Sequence, residues 1–151
     1  MKAQESNFKV ENIFITESNF NTIPIKESKK LDRNMELDID FDIKLANKDN
    51  KELFLIKVIL IGNNKSKPIP GYVFQVIAQG VFSFESEPEK TTKDNYLLMS
   101  GLPLIINTIR AYILNVTAYF PYGKYIIPLI DVNNLIRSKT NPKNNKQKTE
   151  K

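Results

Sequence analysis

Three aspartates at alternate positions, Asp38, Asp40 and Asp42, are the densest run of one chemistry in this 151-residue chain. In an extended strand their carboxylates stand on one face about 6.8 Å apart, at twice the ~3.4 Å rise per residue. Such a row could hold a hard cation. With no further ligand cluster beside it, the reading is a solvated face that resists aggregation, and no metal is expected. Arg110 lies inside the apolar stretch "LPLIINTIRAYILNVT". It could bind a carboxylate, but an ion pair between subunits or a guanidinium at the rim of an apolar surface is the preferred role. The "NVT" at 115–117 matches a glycosylation sequon but falls in a stretch predicted to be a buried helix. The remaining chemistry is sparse, because the chain has no histidine and no cysteine. That removes the usual general base at neutral pH, the commonest metal ligand, thiolate nucleophiles and disulfides. Neither GxGxxG nor GxxxxGK[ST] occurs. The sequence predicts neither an enzyme nor a cofactor.

The aspartates belong to "MELDIDFDIKL", residues 35–45, where Met35, Leu37, Ile39, Phe41, Ile43 and Leu45 occupy the other parity. Period-two alternation predicts a strand with one apolar and one charged face. "NFKVENIFIT" predicts an earlier strand with an irregularity near Glu11 and Asn12, and the polar "ESNFNTIPIKESKKLDRN" reads as a long loop. "LFLIKVILI" (53–61) is apolar on both parities, so it predicts a central strand. "YVFQVIAQGVFSF" (72–84) predicts another, in which Gly80 marks a bulge or a close backbone approach. Short turns between them predict an antiparallel meander. The period then changes, with Leu98, Leu102, Ile105, Ile106, Ile109, Ile113 and Val116 at helical spacing. Asp94 is the expected N-cap, Pro103 the expected kink or start of a second segment, and Tyr119 or Phe120 the expected end. An aromatic-rich loop follows, and Asp131 is expected to cap a short last helix.

The composition, 41% hydrophobic and 26% charged, predicts one globular domain. Its boundaries are expected at residues 1–136, with 137–151 a disordered basic tail. That tail holds six basic residues and one acid, so it accounts for the whole net charge of +5. A solubilising role for the tail is preferred, and no nucleic-acid partner is expected. No apolar run approaches the roughly 20 residues of a membrane span, and "MKAQESNFKV" has no secretory h-region. A cytoplasmic location is expected. One helix can cover only one face of a sheet that is apolar on both, so a partner must cover the other.

The order of these pieces resembles the SecB family of export chaperones over about Phe8 to Ile136. The resemblance rests on Phe8, Val10 and Ile13, then "ESNFN" with Phe20; on "FQVIAQGVFSF"; and on "LPLIINTIRAYILNVT" followed by "GKYIIPLIDVNNLI". It implies an α+β fold, with a four-stranded antiparallel sheet packed with one long helix and a short C-terminal helix. It also implies a homotetramer built as a dimer of dimers, which holds unfolded precursor proteins without ATP and delivers them to the translocase SecA. The implied SecA contact is Glu17, while Asn21 and Gln75 replace acids of the family pattern. The common F-P-Y of the family helix is absent, its place taken by "INTIR" at 106–110. A rival role implied by SecB-like chaperones is protection of the antitoxin of a toxin–antitoxin pair. The client groove is expected at Met35, Leu37, Ile39, Tyr122, Tyr125 and Ile127. The oligomer interface is expected at Ile105, Ile109, Arg110, Ile113 and Val116.

Overall fold

A computed structural model describes residues 5–26, 31 and 35–140. Four strands, β1 (Phe8–Ile23), β2 (Leu37–Lys48), β3 (Lys51–Gly62) and β4 (Gly71–Phe84), are followed by α1 (Lys90–Tyr96), α2 (Leu102–Thr117) and α3 (Val132–Thr140). The sheet is antiparallel in the order β1-β4-β3-β2. Strands rich in β-branched and aromatic residues pair with their sequence neighbours at β2-β3, across a tight turn, and at β3-β4, across the longer connection 63–70, while β1 crosses over to pair with β4. In the tight turn Asp49 and Asn50 both take positive φ, which short polar side chains tolerate.

Register decides the faces. In β3, Phe54, Ile56, Val58 and Leu60 are buried, while Leu53, Leu55, Ile59 and Ile61 stay half-exposed. Opposite them on β2 stand Leu45, Ile43, Phe41 and Ile39, so the greasy parity of β2 shares the helix-covered face. The aspartates share the other. The helices supply the cover: Leu102, Ile105, Ile106, Ile109, Ile113 and Thr117 of α2 are buried, the i, i+3, i+4, i+7 stripe that an amphipathic helix turns to a core. Gly80 proves to be a close approach, since a Cβ there would stand 2.7 Å from Ile105 Cδ1. Gly101 does the same above Ile56, at 2.8 Å.

Four boundaries differ from expectation. β1 continues through Glu17 to Ile23, paired with Ile77 to Gly71 of β4. The stretch read as loop is polar because β1 is an edge strand with much of its surface in water. It carries the irregularity expected at Val10/Asn12 and a second at Ile15/Glu17. The helix begins at Lys90, before Asp94, with Glu89 at its cap and no side-chain cap bond. Pro103 sits in the first turn of α2, directly after the π turn Leu97–Gly101, so the helical run widens just before the proline that withholds an N–H. α2 stops at Thr117, short of the expected end at Tyr119 or Phe120. α3 runs to Thr140, past the expected domain boundary, and Asp131 Oδ1 accepts the Asn134 N–H at 3.0 Å as expected. Of the tail expected to be disordered, 137–151, residues 137–140 are helical instead, as the last turn of α3; residues 141–151 lie outside the described residues.

The helical run Lys90–Thr117 is long and apolar enough to cross a bilayer by length and composition, contrary to the expectation that no such segment exists. Its apolar stripe lies on the sheet, which is how a core helix uses the same composition.

Candidate functional site

The segment from Ala118 to Asp131 has no regular structure, yet side chains bond its backbone at three points and its own Tyr122 ties it to Ile23 and Ile25. Thr117 Oγ1 accepts the Tyr125 N–H at 2.9 Å and itself donates to the Ile113 carbonyl at 2.7 Å. The Tyr72 hydroxyl donates to the Gly123 carbonyl at 2.6 Å. Arg110 Nε donates to the Ile127 carbonyl at 3.2 Å, and its Nη1 to Asn107 Oδ1 at 3.2 Å. The Tyr122 hydroxyl donates to the Ile23 carbonyl and accepts from the Ile25 N–H, both at 3.2 Å. Burial pushes the Tyr72 phenol above its ordinary range, so it stays a neutral donor at physiological pH.

Held in this way, the segment sorts its side chains. Tyr125 (1% exposed) and Ile127 enter the core, while Ile126 is 60% exposed, Leu129 86% and Tyr119 92%. Two expected groove residues, Tyr125 and Ile127, are therefore corrected to core positions. Met35 is buried too. Leu37, Ile39 and Tyr122 are half-buried against the core, which leaves them accessible at its rim. Aromatic crowding explains the sorting: Tyr125 meets Tyr72 and Phe74 at ring distances of 6.2 and 5.9 Å. No pattern in the sequence marks Ile126 and Leu129 as the outward residues, because an irregular segment has no period from which to read a face.

The interface expectation needs the same correction. Ile105, Ile109 and Ile113 are fully buried against the sheet, so a second chain cannot reach them. Val116 is half-buried, and Arg110 secures the loop where an intersubunit ion pair was expected. The face of α2 that is open is Leu104, Asn107, Ala111 and Asn115.

On the uncovered sheet face, Gln75 Nε2 donates to Glu17 Oε1 at 3.1 Å. β1–β4 register places Asn19 opposite Gln75 and Asn21 opposite Val73, so Glu17, Asn21 and Gln75 share this face with half-exposed Val73, Ile59 and Ile61. The aspartate row completes its margin. Asp42 lies 3.8 Å from Lys44, and Asp40 lies 2.5 Å from Lys139 of α3. Among the described residues no group of three or more metal-ligating side chains occurs.

Hollows on the surface are shallow and charged. One of about 230 Å³ lies among Lys51, Glu52, Phe54, Glu87 and Lys93. Another of about 410 Å³ is bordered by Glu11, Lys48 and Lys51. The second also touches Leu53 and Val81, but charged side chains ring both hollows, unlike the enclosed apolar wall of a small-molecule site. What the surface offers is exposed apolar side chains spread over the irregular segment, the outer face of α2 and the far face of the sheet.

No protein-family model matches the chain, and no curated protein matches it in sequence. Among solved structures, the SecB-like chaperone Rv1957 of Mycobacterium tuberculosis, in complex with a ChAD peptide from the HigA1 antitoxin, is 12% identical. It aligns with a TM-score of 0.54 over 82% of this chain and 91% of its own. A protein of unknown function from Streptococcus agalactiae is 14% identical, with a TM-score of 0.47 over 82% of this chain and 97% of its own. The architecture of this chain is thus the SecB-like α+β fold.

Proposed function

We propose that this chain is a holding chaperone, which binds non-native polypeptide through dispersed apolar surface and needs no ATP. The observation that carries the reading is the outward display of Ile126, Leu129 and Tyr119 from a segment that four side chains hold in place. A single domain that buries a full core elsewhere has no structural need to present such side chains, and clusters of them on a surface mark binding sites. Several weak sites joined through one long client gain effective concentration, so affinity arises without any deep pocket. Selectivity is kinetic, because folded proteins have already hidden their apolar segments. The half-buried Leu37, Ile39 and Tyr122 extend the surface at the rim of the core. Assembly into a homotetramer in the cytoplasm, through the open face of α2, is part of the proposal. The test is aggregation of an unfolded model protein without nucleotide: a stoichiometric excess of this chain should suppress it. No suppression at a several-fold excess refutes the reading.

Two clients are in view. Export precursors would be delivered to SecA through the face that carries Glu17, where Asn21 and Gln75 offer no charge. An antitoxin is the alternative, favoured by the peptide held in the structurally similar Rv1957 complex. Titration with purified SecA separates them. Micromolar binding that Glu17→Gln weakens supports export, and no binding leaves the antitoxin role.

A further inference from the structure

The far face of the sheet is apolar along its middle and charged along β2. Leu53, Leu55, Ile59 and Ile61 of β3 stand half-exposed there, beside half-exposed Val73 and Val81 of β4. Apolar side chains left in water across neighbouring strands make a patch that suits a partner. The charge beside this stripe is sorted by position. Along β2 the side chains of this face run Asp38, Asp40, Asp42, Lys44, Ala46, Lys48. Acids come first and bases last. Register aligns Glu17 of β1 with Ile77, Ile59 and Asp40, at the acidic end. Lys51, paired with Glu11, lies opposite Lys48 at the basic end. Asp40 is engaged by Lys139, and Asp42 lies near Lys44. Asp38 and Lys48, at the two ends, have no ion pair among the described residues.

We infer that this face docks a second copy of the chain, sheet on sheet, about a two-fold axis that crosses the strands level with Ile43. Such an axis lays β2 on β2 in opposite directions. Asp38 then faces Lys48 of the second copy and Asp42 faces Lys44, each pair made twice by symmetry. Asp40 faces Ala46, and it already has Lys139 as its partner. On β3, Leu53 comes over Ile59 of the second copy. The other two-fold that stacks two sheets runs parallel to the strands. It would lay β2 on β1 and bring Asp40 to Glu17, acid on acid, so charge selects the first axis. Four strands about 4.8 Å apart and about 40 Å long outline a footprint of roughly 780 Å² per copy. That is close to the ~800 Å² per partner of a stable complex. Assembly through the open face of α2 leaves this face accessible, so the two contacts are independent. A stacked pair would cover Glu17, Asn21 and Gln75, and delivery through that face would have to wait for its release. The inference does not rest on the chaperone reading.

The test reverses the two ends of β2 in the full chain, with Ala111→Glu in every sample to remove association through α2. In that background the chain with β2 unaltered should dimerise at micromolar concentration, as read by sedimentation equilibrium. Asp38→Lys with Asp42→Lys makes one variant, basic along β2. Lys44→Glu with Lys48→Glu makes another, acidic along β2. Each alone should dimerise more than about tenfold more weakly, because every facing pair becomes like-charged. Mixed one to one, they should associate as tightly as the unaltered β2, since every facing pair is again of opposite sign. All four positions are exposed, so both variants should melt as the unaltered chain does, and recovery on mixing confirms that both are folded. Dimerisation that neither reversal weakens overturns the inference. Loss in both variants without recovery on mixing overturns it too, because a two-fold contact must recover. A chain that stays monomeric with β2 unaltered overturns it as well, and SecA binding that Glu17→Gln weakens would then give the face to that protein.

Discussion

Tyr125 and Ile126 are neighbours with opposite fates, and the difference can be measured. Replacing Tyr125 by Ser empties a fully buried aromatic site, and losses of large aromatic side chains from cores run about 3–5 kcal/mol. Against a typical total of about 5–15 kcal/mol, the variant should melt much earlier. Ile126→Ser with Leu129→Ser changes exposed positions, where effects usually stay within about 0.5 kcal/mol, yet it should weaken client binding several-fold. A melting curve and a binding titration on both variants check the contrast. Intact affinity in the double variant would remove the segment from the binding surface. Asp40 supplies a pH signature. The Lys139 hydrogen bond, only partly opposed by desolvation and aided by the Phe41 N–H, holds its carboxyl below the ordinary aspartate range. A lowered folded-state pKa contributes stability that is fully present above the unfolded value and lost as pH falls through the folded one. α3 should therefore hold at pH 5 and loosen below about pH 4, the ordinary aspartate range, as seen in the amide shifts of its residues. The exposed pair contributes about 0–1 kcal/mol, so the rest of the fold should not follow it.

Among the elements, α2 has two distinct tasks on two faces. Its inner stripe completes the core, and Thr117 at its end positions the irregular segment. Thr117→Val keeps the shape but leaves the buried Tyr125 N–H without its acceptor, a loss of about 1–3 kcal/mol for a buried polar group. Thermal denaturation should show this, with faster exchange of the Tyr125 amide. If stability and exchange are unchanged, the segment is held by packing alone. The polarity of β1 beyond Glu17 also makes sense at this scale. Pairing with β4 fixes its backbone, while its edge position leaves Asn19, Asn21 and Thr22 in water. Edge strands are best kept polar, since an apolar edge recruits other chains.

For the molecule as a whole, the open questions are assembly and client capture. The proposed helix-to-helix contact through Leu104 and Ala111 predicts a tetramer, or at least a dimer, by light scattering at micromolar concentration. Ala111→Glu on the same face should dissociate it, because a charge placed between packed helices must be desolvated. A well-folded monomer of the unaltered chain across the concentration range would refute this assembly. The far face of the sheet, with half-exposed Ile59 and Ile61 beside Glu17 and the aspartates, should remain accessible in that assembly.

What the sequence determined by itself was periodicity. Alternation in residues 35–45 and helical spacing from Leu98 to Val116 identified the elements, because the side chains of a regular element report its period directly. The antiparallel meander of β2, β3 and β4 and the cap at Asp131 followed from local rules, whereas the α+β class came with the family resemblance. Tertiary structure decided which apolar residues point where. Ile105, Ile109 and Ile113 form a stripe that suits a sheet and a second subunit equally well, and only the register of α2 over Gly80 shows that the sheet has them. Tyr125 and Ile127 went inward because Thr117, Tyr72 and Arg110, distant from the segment in sequence or set in another element, bond its backbone. The run from Glu17 to Ile23 became strand because β4 was there to pair with it. Lys139 on Phe41 joins residues almost a hundred positions apart, and no local pattern encodes such a contact. Periodicity is a property of neighbours along the chain, whereas burial and partnership are properties of neighbours in space.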